Sequence, residues 1–248
     1  MSRAAQNLLL ILIGAAVLWI TLGSGEYVNY VRPGFRYLLV PAASALLLLG
    51  AAGLRRERLT AAGAPEHPRE HGDAPSGHDH SRGPRTAWLL CLPVLAVFLI
   101  APPALGSFTA TRDSGRAAPP PAPPAEGFNP LPANGTPVTM SMGEFIGRAW
   151  EARTGDPRKL QGVPVRLIGF VSPAGKGWQV TRLKIACCAG DAVPFPVRVR
   201  GLPRPPADTW VEVVGVWRPP APGTRGTGVQ ELDGHSLKRV EKPKNPYE

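Results

Sequence analysis

The chain has 248 residues, 44% of them hydrophobic and only 19% charged, with 28 Lys+Arg against 18 Asp+Glu for a net charge of +10. The apolar residues crowd into the first 108 positions and the charges into the rest, which excludes a single soluble globule. Three cysteines (Cys91, Cys187, Cys188) cannot build a disulfide framework, and alternating β-branched runs in the second half exclude wholesale disorder.

Three charge-free apolar stretches come first, at 4–25, 37–54 and 86–111. A helix needs roughly 20 residues to cross a ~30 Å hydrocarbon core. Membrane spans are therefore expected at about 4–25, 37–54 and 86–108. The second is short but follows the interfacial aromatics Tyr27, Tyr30 and Tyr37. Pro93, Pro102 and Pro103 in the third are tolerable near ends or at a kink. Arg3 alone is a weak basic leader and Leu22-Gly23-Ser24-Gly25 a poor cleavage site, so the first stretch is expected to be retained. Cys91, inside the third stretch, reads as a small packing residue.

Orientation follows from the arginines. Arg55, Arg56, Arg58, Arg69, Arg82 and Arg85 follow the second stretch, whereas only Arg32 and Arg36 separate it from the first. This bias puts loop 55–85 and the N-terminus in the cytoplasm and everything after Phe108 outside, in a multi-pass protein of the cell membrane. The loop holds His67, His71, His78 and His80 among Glu66, Glu70, Asp73 and Asp79. Imidazole and carboxylate suit zinc or another divalent ion, and the Gly and Pro around them favour a weak, exchanging site over a rigid cage. The other reading is a solvated juxtamembrane loop.

Segment 112–137 is a linker, with eight prolines between Arg116 and Pro137. A small domain is expected over 138–248. Ser141-Met-Gly-Glu144 reads as a capping box opening a short helix with Phe145, Ile146, Ala149 and Trp150 on its apolar face, stopped by Gly155-Asp156-Pro157. Strands are expected at 163–171, 178–185, 196–200 and 210–217, with one or two more over 228–240 around the hairpin signal Asp233-Gly234. Gly169 and Gly215 are the expected bends of a strongly coiled sheet. The fold class is then a membrane α-helical N-terminal region plus a small all-β domain. An OB-like barrel with one leading helix is the first choice, and an SH3-like barrel or small sandwich the alternative.

The sharpest constellation is Arg182-Leu-Lys-Ile-Ala-Cys187-Cys188-Ala-Gly-Asp191-Ala-Val-Pro194. Adjacent cysteines make a poor disulfide, because their Cα atoms sit about 3.8 Å apart whereas a relaxed bridge spans about 4.4–6.8 Å. Three uses stay open: thiolate ligation of a soft or borderline metal with Asp191 as a further ligand or cap, a packed structural turn, or a reactive thiol beside Arg182. Residues 138–248 carry 17 Lys+Arg and 10 Asp+Glu. On an outside domain this charge points to anionic lipid or an acidic partner face rather than to nucleic acid.

The order of these parts resembles the YcgQ-type family of bacterial membrane proteins, over nearly the whole chain. The resemblance is most specific at Gly169-Phe-Val171, Arg182 to Pro194, Trp210-Val-x-Val-x-Gly215 and the closing Pro243-Lys-Asn-Pro-Tyr247. It implies a subunit working beside a multi-spanning permease of the YcgR/YraQ type in zinc-like metal homeostasis, without supplying a mechanism. The chain departs from many relatives in having Ala189-Gly190 where they carry two alanines, and in a sparser histidine loop. Residues and resemblance together lead to an expected function: a non-enzymatic accessory subunit of a permease complex, with His67, His71, His78, His80, Cys187, Cys188 and Asp191 as metal ligands and Arg182 and Pro194 supporting the motif. The rivals are a scaffold without metal and an extracytoplasmic thiol oxidoreductase.

Overall fold

The structure is a computed structural model that describes residues 3–62, 103–112, 123–132, 135–220 and 228–248. The chain divides into two compact units, one of Met1–Tyr27 with Pro33–Pro103 and one of Val28–Arg32 with Ala104–Glu248. The histidine loop and most of the third apolar stretch (63–102) lie outside the described residues.

In the first unit, α1 (Arg3–Leu18) widens into a π-helical turn over Trp19–Ser24, and Gly25 at φ 72° ends it. α2 spans Arg36–Ala62, with Pro41 in its early turns, and is longer than the expected 37–54. Both helices are long and apolar enough to cross a membrane. They approach each other through glycine: a methyl placed on Gly14 would lie 2.8 Å from the Ala43 carbonyl oxygen, and one on Gly50 would lie 2.7 Å from that of Asn7. Small residues at such crossings let two backbones approach closely. Leu8, Leu12, Leu22, Leu48 and Leu49 remain exposed on the outer faces.

The second unit is a closed barrel of five strands: β2 (Pro164–Ala174), β3 (Gly177–Lys184), β4 (Val193–Arg200), β5 (Trp210–Arg218) and β6 (Gln230–Arg239). A two-residue β1 (Val138–Thr139) lies parallel to β2. Going round the barrel the order is β2-β3-β4-β6-β5 and back to β2, with β4 and β6 parallel. Closure rests on β2, which pairs with β5 from Pro164 to Phe170 and with β3 from Phe170 onward. Gly169 sits at that change of partner. The second expected bend, Gly215, sits at a register shift beside Val214.

Asp233-Gly234 does not make a hairpin. Gly234 lies opposite Gly215 within one continuous β6, so the dipeptide serves the irregular register between two strands instead of a reversal. β4 starts earlier than expected, running through Pro194 and Pro196. Its pairing with β6 begins only at Val197, so both prolines lie where a missing N–H costs no ladder bond on that side.

The core joins both sides of the barrel to a helix α4 (Met142–Thr154): Met142, Phe145, Leu167, Val180, Val197, Val213 and Leu232 are almost fully buried. Trp178 and Trp217 are core as well. Trp150, expected on the apolar face, is exposed with the Arg153 guanidinium 4.3 Å from its ring centre.

Half of the capping box forms. Ser141 Oγ accepts from Glu144 N–H (3.0 Å), but Glu144 turns to Arg148 Nε (2.8 Å). Glu248 caps two other donors of the first turn, its carboxylate oxygens accepting from Met142 N–H (2.7 Å) and Gly143 N–H (2.9 Å). Replacing a cap by alanine costs roughly 0.5–2 kcal/mol. Glu248→Ala, which strips two donors of a partner, is therefore expected to cost about 1–2 kcal/mol in chemical unfolding, at least as much as Ser141→Ala.

The barrel unit also reaches back beyond Val138. A short helix α3 (Ser107–Arg112), counted from the sequence into the third apolar stretch, buries Ala110 against Phe170, Leu183, Ile185 and Tyr247. Asp208, at φ 63°, holds it by accepting from Ser107 N–H (2.6 Å) and Oγ–H (2.7 Å).

Candidate metal site

β3 ends at Lys184, and the buried Ile185 anchors the chain before it turns outward. Asp191, on the single 3₁₀ turn Ala189–Asp191, folds its carboxylate back over the reversal. Oδ1 accepts from Ala186 N–H at 2.9 Å and Oδ2 from Cys187 N–H at 2.7 Å. A short polar side chain bonded to backbone a few residues away is the usual lock of such a turn.

A second lock comes from Val28–Arg32, the segment joining α1 and α2 in sequence. Arg32 N–H donates to the Cys187 carbonyl (3.1 Å) and Ala189 N–H to the Tyr30 carbonyl (2.7 Å), so that Val31 and Cys188 form an antiparallel bridge. Tyr247 fixes this strap from behind. Its hydroxyl donates to the Asn29 carbonyl (2.9 Å) and accepts from Leu105 N–H (3.0 Å), and burial holds the phenol pKa above its ordinary value. The tail itself lies beside β3, with Glu248 N–H on the Leu183 carbonyl and Ile185 N–H on the Glu248 carbonyl.

With the backbone so held, Cys187 is exposed and Cys188 half-buried, both as free thiols, their sulfurs 3.4 Å apart. One donor atom from each of Cys187, Cys188 and Asp191 falls within 4.8 Å of the others. The electrostatics are lopsided. Hydrogen bonds from the Cys187 thiol and the backbone drop the Asp191 pKa to about 2, while the same carboxylate, then Cys188, push the Cys187 thiol up to about 12. Folding thus favours the aspartate ionised and the thiol protonated. The Asp191 contribution to stability is present above its ordinary value of 3.8 and fades as pH falls through about 2. The Cys187 contribution is present below 9.0 and fades as pH rises through about 12.

Arg182 does not play the part expected of it. Its Nη2 donates to the carbonyls of Asn245 and Tyr247, both at 3.0 Å, and its guanidinium lies 5.2 Å from the Trp210 ring centre. Burial lowers its pKa, and its task is to pin the tail. Pro194 is buried on β4, opposite Leu183. His67, His71, His78 and His80 lie outside the described residues, and the described His235 is exposed on β6. What the sequence did not reveal is the strap and the Tyr247 clamp. The one available signal was the aromatic and β-branched run Tyr27-Val-Asn-Tyr-Val31, which reads equally well as membrane-interface residues.

The donor set fits an ion in part. Two thiols and a carboxylate give three ligands, so a four-coordinate zinc would keep at least one position for water or a partner's group. The carboxylate is already accepting from two backbone donors. Comparison of the chain with family models, with curated proteins and with solved structures gives no match.

Proposed function

We propose that this chain is an accessory subunit of a membrane permease complex in zinc-like metal homeostasis, anchored in the cell membrane by its apolar N-terminal helices. Its OB-like barrel presents Cys187, Cys188 and Asp191 to a divalent ion or to the permease. The observation that carries the reading is the convergence of those three donor atoms within 4.8 Å on an exposed, doubly braced turn. The closing order β2-β3-β4-β6-β5 supports the OB-like reading over a sandwich. The arginine bias of loop 55–85 supports a barrel on the outer side of the membrane. The histidine loop supplies a separate cytoplasmic capture site in this proposal, and the basic barrel suits anionic lipid around the complex.

Zinc titration of the full chain in detergent is the test. Cys187→Ser and Cys188→Ser are expected to weaken one class of sites by about 10–100-fold or more, since losing even an outer-shell partner of a ligand costs that much. Changing His67, His71, His78 and His80 to Ala is expected to remove the other class. If neither set of changes alters zinc binding, the metal reading fails and a scaffold role is left. The thiol oxidoreductase is disfavoured by the spacing: Cys187 and Cys188 are adjacent, without the Cys-x-x-Cys arrangement of a dithiol exchange motif.

A further inference from the structure

We infer that the Cys187–Cys188 turn is shaped for a trivalent, pyramidal, thiophilic centre of the arsenous acid class, in preference to tetrahedral zinc. The inference rests on the reading that this turn is a ligand site, and it names the ligand.

The argument is geometric. With a bond of about 2.3 Å from centre to sulfur, sulfurs 3.4 Å apart subtend an angle of about 95° at the centre. A tetrahedral ion with the same bonds would need them about 3.8 Å apart, and a linear two-coordinate ion about 4.6 Å. A trivalent centre with a lone pair binds its three ligands close to right angles. The backbone on both sides of the pair is held, at the Cys187 carbonyl by Arg32 and at Ala189 N–H by Tyr30, so both sulfurs leave one braced turn and closing a chelate needs only side-chain rotation.

Ring size points the same way. Direct oxidation would close a small ring across one trans peptide, with Cα atoms about 3.8 Å apart where a relaxed disulfide wants about 4.4–6.8 Å. Inserting a single atom between the sulfurs lengthens that ring and removes the conflict.

Asp191 is the lock of the turn: each carboxylate oxygen accepts one backbone N–H bond and keeps a further lone pair for a ligand hydroxyl. A trivalent oxyacid needs only the two sulfurs. The step balances without any oxidant: two S–H and two arsenic–hydroxyl bonds break, two arsenic–sulfur bonds form, and two waters leave. Arsenic stays trivalent with one hydroxyl, which the carboxylate can accept from.

The experiment uses the full chain in detergent, carrying Cys91→Ala so that the pair holds the only thiols. Sodium arsenite and zinc are added separately and in competition, with free-thiol counts and intact mass as readouts. Arsenite is expected to consume both thiols at one equivalent and to add the mass of one arsenic and one hydroxyl less two protons. Either Cys187→Ser or Cys188→Ser is expected to weaken binding at least about a hundredfold, through loss of the second, effectively intramolecular bond. Equimolar zinc is expected not to displace the arsenite. If zinc protects the thiols and arsenite does not, the inference falls and the metal-site reading stands. If neither consumes or protects a thiol, both fall.

Discussion

Gly169→Val is expected to destabilise the barrel by about 3 kcal/mol or more, whereas Gly177→Ala eight residues away is expected to shift stability by no more than about 0.5 kcal/mol. At Gly169 a first side-chain carbon would lie 2.6 Å from the Thr181 carbonyl oxygen, 2.9 Å from Val180 Cγ2 and 3.1 Å from Met142 Cε. The nearest obstacle is backbone of the neighbouring strand, which cannot swing aside like a side-chain end. Overpacking of this kind costs typically 1–3 kcal/mol for an added methylene or two, and a branched side chain adds to it. The position is sensitive because β2 leaves β5 for β3 there, so displacing it opens the barrel at its seam. At Gly177 the nearest atom is the Ala174 carbonyl oxygen at 3.7 Å, an ordinary contact. Thermal unfolding followed by the fluorescence of the buried Trp178 and Trp217 reads the difference. Equal midpoints for the two variants would refute this account of closure.

Asp191→Asn is expected to raise the reactivity of Cys187 near pH 8 by roughly 3–4-fold for each pKa unit recovered, a few tens of fold at most, because the added thiolate is also a weaker nucleophile. The carboxylate is the largest cause of the rise of that thiol from 9.0 to about 12. Each unit of pKa recovered gives tenfold more thiolate well below the pKa. The amide can accept from one of the two N–H groups at the turn but carries no charge to suppress ionisation. Alkylation of the chain by iodoacetamide across pH 7–11, resolved by peptide mass analysis into Cys187 and Cys188, measures the effect. In the unsubstituted protein the Cys187 rate should still be climbing at the top of that range. In the variant it should level off one to three pH units earlier, and coincident profiles would show that Asp191 does not govern the thiol.

Much of this molecule could be read from residues in order. The apolar runs gave two helices, because a charge-free stretch of that length has few other solutions. The alternation of Val163–Val171, Trp178–Ile185 and Trp210–Trp217 gave strands, because period two buries one face of a sheet. Gly169 and Gly215 were legible as bends for a related reason: glycine inside an otherwise β-branched run usually marks a place where another backbone comes close. Cys187, Cys188 and Asp191 could be grouped from spacing alone, since four residues of chain cannot carry the carboxylate far from the sulfurs.

Other features depended on residues far apart in sequence. The Asp233-Gly234 signal describes a local turn preference, and pairing with Gly215 overrode it by giving the same backbone freedom another use. Glu144 was expected to reach back to the start of its own helix but pairs with Arg148, and Glu248, more than a hundred positions away, caps Met142 and Gly143. Arg182 looked like an activator of thiols until the tail and Trp210 took up its guanidinium. Sequence therefore fixes what each short segment prefers and which donors sit side by side. Only the tertiary structure decides which distant group satisfies a given hydrogen bond, and it is the strap Val28–Arg32 and the Tyr247 hydroxyl, neither near the cysteines in sequence, that hold the dithiol turn in shape.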